Sequence, residues 1–119
     1  MLVGTVVGNV WATKKDETLT GLRLLVVRPF TTDGREGAET IVAADPIGAG
    51  IGERVLVVFG RAARHAIGKG HDVGFQTAVV GIVDRMELED GSTVGTVREL
   101  DTPPGAGEGR GAQRRREEA

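Results

Sequence analysis

The sequence predicts an all-β fold: a small barrel interrupted by one short helix. Three observations point there. Valine-rich runs of strand length recur along the chain, among them LVGTVVGNVWA, LRLLVVR, RVLVVF and AVVGIVDRMEL. Glycine, proline and aspartate separate them at short spacing, as turns between strands require. A single stretch, RAARHA, combines alanines with no β-branched residue, the composition of a turn or two of helix. With 119 residues the chain holds one domain, small enough to be marginal unless a partner covers part of its surface.

In order, residues 2–12 read as the first strand and 13–21, TKKDETLTG, as a polar connection. A second strand over 22–28 stops at Pro29, which has no N–H to donate to a ladder. Asp33-Gly34 marks a turn, 40–44 forms a third short strand and 54–59 a fourth. The helix is expected over 61–66, followed by the glycine-rich loop IGKGHDVG. A fifth strand spans 78–88, and 92–98 pairs back on it as a hairpin arm after Glu89-Asp90-Gly91. The barrel domain is therefore placed at 1–100. From Asp101 the chain reads DTPPGAGEGRGAQRRREEA, with no apolar side chain beyond alanine and two prolines. Such a segment buries too little to offset its chain entropy, so 101–119 is expected to be a flexible tail, dispensable for folding.

Composition narrows the function. Without cysteine there is no disulfide, thiolate metal site or thiol nucleophile. The N-terminal apolar run lacks a basic lead, and no run reaches the ~18 residues of a membrane span, so a soluble, cytoplasmic protein with no membrane partner is expected. The net charge is −2, whereas phosphate binding demands a basic excess. Three phenylalanines, one tryptophan and no tyrosine offer little for base stacking. A nucleic-acid-binding barrel is thus the alternative, and no nucleic-acid partner is expected.

The chemical motifs fail on their surroundings. Gly48 and Gly50 match the start of a dinucleotide fingerprint, but its sixth position is Glu53 and a strand follows where a helix is needed. Gly68-Lys69 is followed by Gly70 instead of Ser or Thr, so no phosphate loop forms. Ser92 lies beside a turn, and His65, His71 and Asp72 match no zinc spacing. Asp45 and Asp84 each end an apolar strand, where capping a turn amide is commoner than acid–base work. No catalytic residue, cofactor or metal is assigned, and an enzyme is not expected.

The glycines of ADPIGAGIGER therefore need a structural reason: positive φ or close backbone approach, as where a loop presses against a neighbouring subunit. Gly50 is the position expected to show it. Periodicity points the same way. LLVV at 24–27, VLVVF at 55–59 and AVVGIV at 78–83 do not alternate, so three strands carry two apolar faces. One interior cannot bury both, and the lone helix looks too short to cover the outer ones. A second copy is the economical cover.

The segments GTVVGNVWATKKDETLTGLRLLVV, AADPIGAGIGERVLVVFGRAAR and AVVGIVDRMEL together resemble the EutN/CcmL family of bacterial microcompartment vertex proteins, over roughly residues 1–89. The resemblance implies a five-stranded OB-like barrel assembled as a homopentameric ring at the vertices of a polyhedral shell, with hexameric shell proteins as partners. It implies a structural role in the shell and no catalysis. Asp45, Gly48, Ala49, Gly50, Gly52, Glu53, Gly60, Ala63 and Arg64 become the candidates for the subunit interface or pore region. Arg61 departs from the family's usual small residue, and Trp11 replaces a smaller one, to fill the core or to contact the shell. Arg114, Arg115 and Arg116 offer the tail a contact with cargo or an acidic neighbour.

Overall fold

A computed structural model describes residues 1–12, 21–31, 35–68 and 75–105. Its strands are β1 (Leu2–Val10), β2 (Leu24–Pro29), β3 (Ile41–Ala44), β4 (Arg54–Phe59), β5 (Thr77–Ile82), β6 (Arg85–Glu87) and β7 (Thr93–Gly95). One α-helix, α1 (Gly60–Ile67), joins β4 to β5, and a 3-10 turn covers Arg98–Leu100. The strands form a closed five-stranded barrel in the order β1-β2-β3-β5-β4, with β6 and β7 as a separate two-stranded sheet.

All barrel pairings are antiparallel except β3 with β5, which meet in parallel at Ala44 and Ala78. Following partners from Val10 through Leu24, Ala44, Ala78 and Val58 leads back to the start of β1, where Leu2 faces Val57. This return far from Val10 is the stagger that closing a tilted barrel demands. The interior is filled by Val6, Leu25, Val27, Ala43, Val55, Val57 and Val79, all fully buried, and by Ala49 from the loop after β3. Each such valine contributes about 1.5–3 kcal/mol relative to staying in water.

A second apolar cluster lies outside the barrel. Val58 and Ala78 meet Ala63 of α1, with Ala66, Ile67 and Val80 beside them. The helix covers the outer side of β4 and β5, while no residue of β2 joins this cluster, as expected of a helix too short to cover three strands. Small residues explain the contact: alanine at positions 63 and 66 lets a two-turn helix lie close against the strands. Large apolar side chains nevertheless stay exposed, including Val42, Ile47, Ile51, Phe59 and Ile82. Trp11 is 91% exposed at the end of β1, so it fills no core in the protomer.

Two expected boundaries shift. The strand expected over 78–88 is two strands, β5 and β6, broken at Val83 and Asp84. There the Val83 amide donates to the Arg54 carbonyl and the Thr96 hydroxyl to the Asp84 carbonyl, which turns the chain off the barrel. The hairpin arm pairs as expected, β6 with β7. At its turn Ser92 donates its amide and hydroxyl to Asp90, and the hydroxyl bond above all holds that carboxyl below the usual carboxylate range. Ser92 is a turn residue. Asp101 and Thr102, assigned by composition to the tail, are held in place: Asp101 takes a two-point bond from Arg54, and Thr102 bridges Thr93. The turn at Asp33-Gly34, the loop at 69–74 and residues 106–119, with Arg114–Arg116, lie outside the described residues.

Candidate functional site: a loop and a helix on the barrel wall

Six of the nine candidates sit in one loop, between β3 and β4, built around Asp45. Its carboxylate is fully buried and accepts from the amides of Ile47 (3.0 Å), Gly48 (2.8 Å) and Ala49 (2.9 Å). Arg23, half exposed, donates to it at 3.3 Å. Four donors converge on one carboxylate, so the glycine loop wraps a side chain of its own chain. Asp45 caps a turn, as its place at a strand end suggests.

The backbone geometry follows. Gly48 has φ 99 and Gly52 φ 94, angles a side chain tolerates poorly. Gly50 differs from expectation, because it is not among the positive-φ glycines. Its amide donates to the Glu53 carboxylate at 2.6 Å, and a Cβ there would meet that oxygen at 3.2 Å. Glu53 is thus a second capping group, and Ala49 is driven into the interior between the two carboxylates. Gly52 donates to the Val6 carbonyl and Val6 to that of Glu53, which anchors the loop to β1. Substitution should therefore hurt most at the outer glycines. Gly52→Ala is expected to cost about 1–2 kcal/mol through the left-handed backbone alone. Gly50→Ala, where the Glu53 side chain can give way, should cost less. Chemical denaturation of the two variants reads the order, and equal losses would refute it.

The other three candidates open α1. Gly60 (φ 65) turns the chain from strand into helix and donates to the Gln76 carbonyl. Ala63 is the buried contact of the helix, Arg64 is half buried, and Arg61 is exposed. Loop and helix meet through the sheet: Ala44, just before Asp45, pairs with Ala78, which packs under Ala63.

Sequence reasoning missed a third group. Arg54, the first residue of β4, is 2% exposed. Its guanidinium bonds to the Thr5 hydroxyl (3.2 Å), the Gly95 carbonyl (3.1 Å) and both oxygens of Asp101 (each 2.8 Å). Glu36 lies 3.7 Å away, and the Phe30 ring centroid 5.7 Å. Glu36 also accepts from Thr5 and Arg98. The available signal was an arginine opening an otherwise apolar buried strand, which demands buried acid.

The class is that of a small closed β-barrel whose buried charged groups, Asp45 and Arg54, bond its own loop and hairpin. The chain belongs to the family described as "Ethanolamine utilisation protein EutN/carboxysome", which matches residues 1–84. It is 46% identical over 87 residues to the bacterial microcompartment shell vertex protein GrpN of Rhodospirillum rubrum, covering 73% of this chain and 97% of that one. The carboxysome shell vertex protein CcmL of Thermosynechococcus vestitus is 42% identical over 90 residues, covering 76% and 90%. Among solved structures, the GrpN pentameric microcompartment shell protein superposes with a TM-score of 0.64 at 41% identity, over 73% of this chain and 98% of that one. Gloeobacter violaceus CcmL superposes at 0.69 and 30%, over 75% and 91%.

Proposed function

We propose that the protein is a structural shell subunit, forming homopentamers that cap the vertices of a bacterial microcompartment. The observation that carries this reading is the exposed apolar surface of a barrel whose interior is already full. Val42, Ile47, Ile51, Phe59 and Ile82 stay in water on the lone protomer, as side chains awaiting a neighbouring copy would. Kinship with shell vertex proteins, one of them pentameric by its description, supports the same stoichiometry. The reading places the protein in the shell, within the cytoplasm, with no catalytic role.

The nine candidates at the Asp45 loop and α1 belong, in this reading, to the subunit boundary or the pore region. Hexameric shell proteins are the outer partners, and Arg114, Arg115 and Arg116 offer a salt-sensitive contact to cargo or shell. In this reading the tail starts at Pro103, a boundary supported by the bonds of Asp101 to Arg54 and of Thr102 to Thr93. Native mass spectrometry tests the central claim. A five-chain mass at micromolar concentration is expected, and a well-folded monomer would refute it.

A further inference from the structure

The chain beyond the family-matched barrel forms a unit of its own. β6 pairs with β7, and β7 bridges onward to Thr102. Gly95 sits so close to Leu100 that an added Cβ would collide with its side chain and backbone. These contacts hold residues 85–102 together internally. Neither apolar cluster of the barrel includes any of them.

The hydrogen bonds and ion pairs that join this unit to the barrel centre on one residue, and Val94 is the one apolar side chain of the unit that is buried. The Arg54 amide donates to the Thr96 carbonyl, and its guanidinium reaches the Gly95 carbonyl and Asp101. Glu36 adds a bond from Arg98, whose side chain is 75% exposed. Apolar burial holds the barrel strands, and opening them would expose valines to water. Opening this attachment exposes at most one buried valine, Val94, and returns Arg54, Glu36 and Asp101 to water, which recovers part of the desolvation cost of burying them. Units joined so differently open with different free energies.

We propose that residues 85–102 form a strap that lifts off as a unit while the barrel stays folded, with Arg54 as its fastening. The proposal stands apart from the shell role and is tested on the full chain in whatever assembly it adopts. Hydrogen–deuterium exchange is followed at the Leu88, Thr93 and Thr102 amides, all bonded within the strap, and at the β1 and β2 ladder. The strap amides are expected to exchange together, about tenfold or more faster than the ladder. Asp101→Asn, which removes the charge opposite Arg54, should speed the strap by about a further tenfold while the ladder stays slower than the strap. Arg98→Gln changes an exposed side chain, so it tests the weaker Glu36 fastening without threatening the fold, and a smaller acceleration of the strap is expected. Equal protection of strap and ladder in the wild type overturns the proposal, and so does a strap rate that neither substitution changes.

Discussion

Arg54→Ala is expected to cost the folded protein about 3–5 kcal/mol, the range for breaking one side of a buried ion pair. The loss has three parts. Asp101 and Glu36 lose their shared cation, and the Thr5 and Gly95 oxygens lose a donor. The Phe30 face loses the guanidinium packed over it, and alanine leaves a void in a tightly filled site. Lifting the strap can rehydrate the carboxylates, which limits the penalty without removing it. Denaturant titration of the assembled protein measures the difference. A change within about 0.5 kcal/mol of wild type would show that this network contributes little. Replacing both partners, Arg54→Met with Asp101→Leu, should recover part of the loss, because the Asp101 charge is gone and Glu36 keeps its bond from Arg98.

Asp45→Ala is the second large effect, expected at about 3 kcal/mol or more. Three backbone amides and the Arg23 guanidinium share this fully buried carboxylate. Hydrogen bonds to a charged group are worth about 1.5–3 kcal/mol each, and buried donors left unpaired add their own cost. The loop would lose its centre, and Ala49 its fixed place in the interior. Asp45→Asn should lose roughly half as much, since its carbonyl still accepts but without charge and its NH2 faces donors. Thermal unfolding separates the two variants. If Asp45→Asn and Asp45→Ala fell equally, charge rather than acceptor geometry would hold the loop.

Much of this architecture was legible in the chain. Strand composition placed the barrel strands, including 54–59 without error, because β-branched residues at strand spacing carry that signal locally. The alanine-rich RAARHA marked the helix to within a residue at each end. The failed nucleotide motif left the glycine cluster as a structural loop, and Asp45 as its cap followed from position alone. Local chemistry decides all of these. What it could not decide were the pairings between residues distant in the chain. Gly50 looked like the strained glycine, yet positive φ falls at Gly48, where the loop wraps the Asp45 carboxylate, and at Gly52, where it is anchored to the Val6 carbonyl of β1. An unbroken apolar run through Val83 hid the corner that the Arg54 carbonyl creates. Asp101 looked like the first residue of a tail because its composition is a tail's. Its partner stands 47 residues earlier in the chain, and only the closed barrel brings that buried arginine within reach.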